Sequence, residues 1–213
     1  MFRRDRSYER VIAVLPMFYD PLVWVLGLGR VKALRQATLG AAQISAGDAV
    51  LDAGCGTGAV AVEARVATGP TSRVVGMDSS SAMLERARRR SDRAHAAIEL
   101  IEGPATAFPF PDACFDVVVF SLVMHYLTAE AKTRAIGEAR RVLREGGRVV
   151  LVDFGRSDSR LTRLNQHLML HGGVASRAPD LGALLLAGDL VEVSSQPSPL
   201  AALHVVRGTR RDY

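Results

Sequence analysis

A short apolar segment that runs directly into closely spaced glycines restricts the fold of this chain more than any other feature. Residues 49–53 are apolar except for Asp52, and Gly54, Gly56 and Gly58 follow them. Glycines at this spacing let the backbone turn sharply and leave room for a ligand close to the main chain. A strand, a glycine turn and a helix in this order are typical of open α/β sheets, which bind ligands beyond the carboxyl ends of their strands.

The following residues alternate between short apolar segments and amphipathic segments. Strands are predicted at residues 49–53, 73–77, 97–101, 115–120 and 148–152. Helices are predicted between them at residues 60–67, 80–90 and 129–143. This alternation predicts a parallel, doubly wound sheet with right-handed crossovers.

The carboxyl-terminal part departs from the alternation. Residues 190–194 and 201–207 are predicted as strands, and the link between them is too short for a crossover helix. They are therefore expected to pair as an antiparallel hairpin on the sheet edge. Two further helices are predicted at residues 161–171 and 181–187. The fold class is α/β, with a seven-stranded, mostly parallel sheet and helices on both faces.

The length of 213 residues corresponds to one domain. Residues 1–45 are predicted to be helical, at residues 6–15 and from Pro21 to about Leu39, and to form a lid over a core of residues 46–213. Two cysteines make no disulfide framework, and no apolar stretch reaches the roughly 18 residues of a membrane span. A cytoplasmic location is expected.

The net charge of +5 raises the question of an anionic partner. Of the 27 basic residues, all but Lys32 and Lys132 are arginine, which indicates coding bias and makes nucleic-acid binding a weak interpretation. The densest basic cluster, at residues 86–93, has two interpretations: a solvated helix face or a contact with an anionic partner. No aromatic residues interleave with it, as single-stranded nucleic acid would require.

Two classes of cofactor use a glycine turn of this kind. Gly54-x-Gly56-x-x-Ala59 fits a dinucleotide fingerprint, and Asp78 lies near the spacing expected of a ribose partner. The other class binds S-adenosyl-L-methionine, whose amino-acid end carries an ammonium and no pyrophosphate. Asp52, a carboxylate directly before the turn, suits an ammonium and would be out of place beside a pyrophosphate.

The chain resembles the class I S-adenosylmethionine-dependent methyltransferase family, and in particular its ubiquinone and menaquinone biosynthesis members. The matching segments are LDAGCGTG at 51–58, VGMDSSSAML at 75–84, FPFPD at 108–112, FDVV at 115–118 and RVLREGG at 141–147. They occur in the family's order over nearly half of the chain. The resemblance implies a Rossmann-like fold, S-adenosyl-L-methionine as cofactor and S-adenosyl-L-homocysteine as product.

The resemblance also assigns the cofactor site. The backbone from Gly54 to Gly56 would face the methionine part, and Asp78 would accept both ribose hydroxyls, which suits an acceptor-only carboxylate. Ser79 and Met83 would pack on the adenosine, although Met83 has the alternative of a plain core residue. The full expected set is Tyr19, Asp52, Gly54, Cys55, Gly56, Asp78, Ser79, Met83, Ala105, Thr106 and Ser121.

One position departs from the family pattern. The family commonly has Gly-Asp-Ala after the third strand, and its Asp reaches the adenine amino group; here the residues are Gly103, Pro104 and Ala105. Proline has no side-chain acceptor and no N–H. The N–H groups of Ala105 and Thr106 would still meet the adenine ring, so weaker cofactor binding is expected.

Methyl transfer is an in-line displacement that depends on alignment and exclusion of water. A base is useful for a hydroxyl acceptor, and His125 is the candidate because it follows the fourth strand. The alternative for His125 is a structural polar residue. Asp153, at the end of the fifth strand, is expected to orient the acceptor. His167 and His171 have a metal-ligand spacing, but they lack a third ligand, and no metal is expected.

The sequence therefore predicts a methyltransferase that acts on a small, hydrophobic or lipid-like acceptor. Residues 17–21 resemble the amino-terminal lid of a subgroup with such acceptors, which includes ubiquinone/menaquinone-biosynthesis methyltransferases and bacterial phosphatidylethanolamine N-methyltransferases. Tyr19 would close over the cofactor carboxylate, and peripheral membrane contact is compatible with such an acceptor. A cofactor-binding protein without activity and an NAD-dependent oxidoreductase are the alternatives. The sequence does not indicate the oligomeric state.

Overall fold

The computed structural model describes residues 31–154, 180–196, 198–200 and 203–211. Its strands are β1 (Val50–Ala53), β2 (Val74–Asp78), β3 (Glu99–Glu102), β4 (Phe115–Ser121), β5 (Leu143–Phe154), β6 (Leu190–Gln196) and β7 (Leu203–Arg210). Its helices are α1 (Val31–Ala42), α2 (Ala59–Thr68), α3 (Ser81–Ala94), α4 (Ala129–Val142) and α5 (Leu181–Ala187). A 3-10 turn covers Met124–Tyr126.

The seven strands form one sheet in the order β3-β2-β1-β4-β5-β7-β6. Strands β1 to β5 pair in parallel, whereas β7 pairs antiparallel with both β5 and β6. The predicted seven-stranded, mostly parallel sheet with a carboxyl-terminal antiparallel pair is confirmed. Because β1 lies between β2 and β4, the chain changes direction across the sheet at β1, where α/β sheets place their ligands.

The two faces of the sheet are covered by separate hydrophobic cores. On one face, the strand residues Phe120 and Leu151 pack in a cluster with Ile136 of α4 and Leu185 of α5. On the other face, valines of the central strands pack against residues of α1 and α2. The central strands are thus buried on both sides, as expected of a parallel sheet covered by helices.

Several predicted boundaries move in the structure. Strand β5 begins at Leu143 rather than at residue 148, because Leu143 pairs with Phe115 before the register between the two strands shifts. Strand β7 extends to Arg210 and helix α1 to Ala42. The helices predicted at residues 6–15 and 161–171 lie outside the described residues.

Arg141 of helix α4 connects that helix to the Phe-Pro-Phe-Pro-Asp segment at residues 108–112. Its guanidinium donates to the carbonyls of Phe108 and Phe110, at 3.1 and 2.8 Å, and to the carboxylate of Asp112 at 2.7 Å. It also pairs with Glu138, which in turn accepts the N–H of Phe108. One side chain therefore fastens the loop before β4 to helix α4.

Replacing Arg141 with Met is expected to lower the free energy of unfolding by about 2 kcal/mol, because several charge-assisted hydrogen bonds are lost. The hydrogen bond from Arg141 lowers the pKa of Glu138. The stabilisation is therefore present above the ordinary carboxyl pKa and is lost as the pH falls through the lowered value. Urea unfolding across this acidic range measures both effects.

The matched control is Arg134→Met, which changes an exposed arginine of the same helix. Equal stability of the two variants at neutral pH, or an unchanged acid profile in Arg141→Met, would contradict the role of Arg141.

Candidate functional site

The turn between β1 and α2 is fastened to the end of β2. The N–H groups of Gly54 and Cys55 both donate to the Met77 carbonyl, at 2.7 and 2.9 Å. The N–H of Gly56 donates to Oδ2 of Asp78 at 2.8 Å. These three N–H groups thus donate to acceptors within the protein. The turn can therefore meet a ligand through hydrogen-bond acceptors, which suit a cationic group.

Two of the glycines in this turn have no room for a side chain. A Cβ at Gly54 would lie 2.6 Å from a methyl carbon of Val123, and one at Gly58 would lie 2.8 Å from the Cβ of Ala87. Both residues also have positive φ, at 79° and 74°. The turn is therefore pressed between the segment after β4 and helix α3.

Cys55 contributes to the turn through its backbone. Its side chain is buried, and its Sγ lies 3.1 Å from the position that a Cβ on Gly76 would take. Burial raises the pKa of the thiol well above its ordinary value, so the side chain stays neutral. The thiol is a packing group between β1 and β2.

The buried carboxylate of Asp52 lies just before the turn and can accept a further hydrogen bond. Its Oδ2 accepts the Ala61 N–H at 3.1 Å, and its buried Oδ1 has no hydrogen-bond partner in the part of the chain that the structure describes. Burial raises the pKa of Asp52 to about 7. An unpaired buried carboxylate oxygen is costly. A cationic ligand group nearby would remove that cost, so the residues present fit the ammonium of S-adenosylmethionine.

Asp78 ends β2 and faces the glycine turn. Its Oδ1 accepts the Ser80 N–H at 2.9 Å, while Oδ2 accepts the Gly56 N–H. Burial raises its pKa, and these hydrogen bonds oppose that effect. Ser79 is exposed beside it, whereas Met83 lies in the interior with 7% of its surface exposed. The carboxylate keeps lone pairs for vicinal hydroxyls.

The turn after β3 presents free hydrogen-bond donors. Within it, the Gly103 N–H donates to the Asp78 carbonyl at 3.0 Å and the Ala107 N–H donates to the Pro104 carbonyl at 3.2 Å. The N–H groups of Ala105 and Thr106 donate to no atom among the described residues, and both residues are half-buried. The donors predicted for an adenine ring are therefore available.

The segment after β4 crosses the glycine turn. Ser121 is the last residue of β4, rather than the first beyond it, because it pairs with Val152. Leu122 then takes a left-handed conformation with a φ of 59°, which is rare for a leucine. This bend carries Val123 onto Gly54 and brings His125 to the same edge of the sheet.

His125 is held by Asp153 through two hydrogen bonds. The His125 N–H donates to Oδ2 of Asp153 at 3.1 Å, and the ring Nδ1 lies 2.8 Å from Oδ1. Asp153 is fully buried and also accepts the Phe154 N–H. The ring packs against Tyr126, with centroids 3.9 Å apart. A carboxylate at Nδ1 fixes the proton there and leaves Nε2 as an acceptor.

Asp153, which the sequence predicts to orient the acceptor, is buried and accepts hydrogen bonds from His125 and Phe154, so that role stays a prediction. The sequence analysis missed the pairing. Adjacency of β4 and β5 was the available signal, since Ser121 and Val152 are partners and the two polar residues follow them. Tyr19 and the pair His167 and His171 lie outside the described residues.

Two features are absent from the residues that the structure describes. No group of three or more histidine, cysteine, aspartate or glutamate side chains there has metal-binding geometry. No helix there has the length and apolar character needed to span a bilayer.

Comparisons with known proteins agree on one family. A family model described as "Methyltransferase domain" matches residues 50–147. Demethylmenaquinone methyltransferase of Deinococcus radiodurans is 31% identical over 99% of this chain and 88% of its own length. The chloroplastic 2-phytyl-1,4-beta-naphthoquinone methyltransferase of Arabidopsis thaliana is 35% identical over 71% of this chain and 59% of its own length.

A solved structure shares the fold. The S-adenosylmethionine-dependent methyltransferase SibL, in its apo form, superposes with a TM-score of 0.74 at 20% identity, over 96% of this chain and 62% of the other.

The cofactor follows from these matches. They favour S-adenosylmethionine over a nicotinamide dinucleotide, as does the carboxylate that precedes the turn. The chain is an enzyme of the class I S-adenosylmethionine-dependent methyltransferase family.

Proposed function

We propose that the chain transfers a methyl group to a hydroxylated aromatic ring of the naphthoquinol type with a hydrophobic substituent. Two relatives support this acceptor class, since their names specify demethylmenaquinone and 2-phytyl-1,4-beta-naphthoquinone. A quinone ring is itself electron-poor, so the reduced quinol is the form that can attack a methyl donor. The observation that carries the proposal is the His125–Asp153 pair beside the glycine turn.

S-adenosylmethionine supplies an electrophilic methyl group on a sulfonium sulfur. In our proposal, Asp52 and the turn from Gly54 to Gly56 hold its amino-acid end, and Asp78 accepts its ribose hydroxyls. The N–H groups of Ala105 and Thr106 would meet the adenine. Ser121 would border the methionine carbon chain, and Tyr19 would close the site from the lid.

His125 is the proposed base. Its Nε2 would accept the proton of the quinol hydroxyl, which raises electron density at the neighbouring ring carbon. That carbon would attack the methyl group that the bound cofactor supplies, with the electron pair of the broken carbon–sulfur bond remaining on sulfur. The methylated carbon would then lose its own proton to water while the oxygen takes its proton back from His125, which restores the aromatic quinol and the neutral imidazole. Asp153 acts as a positioning residue, because it fixes the imidazole orientation and keeps Nδ1 protonated.

The direct test measures transfer of labelled methyl groups to a short-chain demethylnaphthoquinol under reducing conditions. His125→Ala is expected to lower kcat by about 10²- to 10⁴-fold, because general base catalysis contributes on that scale. Asp153→Asn should lower kcat less and leave KM nearly unchanged. S-adenosylhomocysteine binding should be unchanged in both variants.

The matched control is His95→Asn, which changes an exposed histidine at the end of α3 and suits its left-handed backbone. Full activity of His125→Ala would overturn the base role. Failure to methylate any quinol, with cofactor binding intact, would overturn the acceptor class.

The raised pKa of Asp52 predicts that cofactor binding depends on pH. The pKa of Asp52 in the free protein is about 7, so the carboxyl is neutral when the pH is lower. A cationic ammonium favours its ionised form. Affinity for S-adenosylhomocysteine should therefore rise about tenfold between about pH 6 and pH 8 and then level off. Calorimetric titration measures it. Asp52→Asn should bind more weakly without this slope, and a flat wild-type profile would contradict the assignment.

Replacing Pro104 with Asp tests the missing adenine contact. An acidic side chain here would supply the acceptor that proline lacks, so we expect several-fold tighter binding of S-adenosylhomocysteine, as one added hydrogen bond provides. Pro104→Ala is the control, since it removes the ring without adding an acceptor. If the Asp variant binds no more tightly than the Ala variant, adenine is not recognised at this position.

A further inference from the structure

Helix α3 carries an excess of positive charge that the methyltransferase reaction does not use. It holds five arginines and two carboxylates within Ser81–Ala94. Arg86, Arg89, Arg90 and Arg93 have the spacing i, i+3, i+4, i+7, which places them on one face of a helix. Together with Thr57 of the glycine turn, these four arginines line a single open depression.

Of the carboxylates in the described residues, Glu85 pairs with an arginine of this lining. Glu85 pairs with Arg89 at 3.1 Å and with Arg88, which lies outside the lining, at 3.3 Å. Arg93 donates through Nε to the carbonyl of Arg89 at 3.0 Å. Arg86 makes no hydrogen bond or ion pair within the described ranges. Among the described residues, Glu85 is thus the one carboxylate that pairs with Arg86, Arg89 or Arg93, and the mutual repulsion of these three guanidinium groups is relieved when an anion binds.

The depression rests on rigid backbone. Arg90 donates to the carbonyl and the hydroxyl of Thr57, at 2.9 and 2.6 Å, and so connects α3 to the glycine turn. On the inner face of the helix, Ala87 is fully buried and touches Gly58. The guanidinium groups therefore start from fixed Cα positions, which reduces the ordering cost of binding.

We propose that this arginine depression is a binding site for a phosphate group, presented either by an anionic lipid headgroup or by a soluble phosphate ester. Guanidinium groups match the oxygen geometry of phosphate and bind it through paired hydrogen bonds. The described residues of the lining form a compact set without an aromatic side chain, which favours a phosphate group over a nucleic-acid strand. The proposal is independent of the methyl acceptor.

The test is binding in the absence of cofactor and acceptor. The full chain is titrated with glycerol 3-phosphate and with vesicles of phosphatidylcholine, with or without phosphatidylglycerol. Arg86→Gln/Arg93→Gln is expected to weaken binding about tenfold per guanidinium removed. The matched control is Arg88→Gln/Arg134→Gln, which removes the same charge from α3 and α4 outside the depression and should bind like the wild type.

Each outcome of this test either supports or overturns the phosphate site. Binding of the soluble ester that depends on Arg86 and Arg93 supports the site with a small phosphate ligand. Binding only to vesicles that contain phosphatidylglycerol, with the same dependence, supports it with a lipid headgroup. Absence of both, equal loss in the control variant, or much tighter binding of a single-stranded oligonucleotide would overturn it. Single Arg86→Gln provides the same comparison if the double variant fails to fold.

Discussion

The attachment of the glycine turn to the end of β2 is the interaction on which the rest of the site depends. Two N–H groups share the Met77 carbonyl, and a third binds Asp78, so the turn and the carboxylate at the end of β2 are fixed together. If this attachment were lost, Gly54 would no longer support Val123. The bend that brings His125 to the sheet edge would then lose the packing contact that holds it in place.

The sheet order converts this local arrangement into a catalytic site. Because β1 lies beside both β2 and β4, and β4 beside β5, four carboxyl ends meet along one edge. Asp78 ends its strand, Asp52 and Asp153 lie one residue before the ends of theirs, and His125 follows β4. Two of them face the glycine turn and two form the histidine pair, which divides the edge into a cofactor side and an acceptor side in the proposed reaction.

The strand and helix order was predictable from the sequence, because the alternation of apolar and amphipathic segments is strong from Ala49 onward. The glycine spacing also indicated the ligand edge. The pairing of His125 with Asp153 was not predictable in its geometry, since it depends on the left-handed bend at Leu122, where no glycine signals a positive φ. The early start of β5 was hidden because Gly146 and Gly147 lie within the strand.

Strand β7 has a consequence for how this protein is made. It pairs with β6 and also covers the outer edge of β5, where Val150 and Val152 are buried. During synthesis, residues 203–210 leave the ribosome after all the strands they join. Until then β5 presents an unpaired apolar edge, which is the kind of surface that recruits other chains into aggregates. The outer edge of β5 is therefore protected only once residues 203–210 have been synthesised.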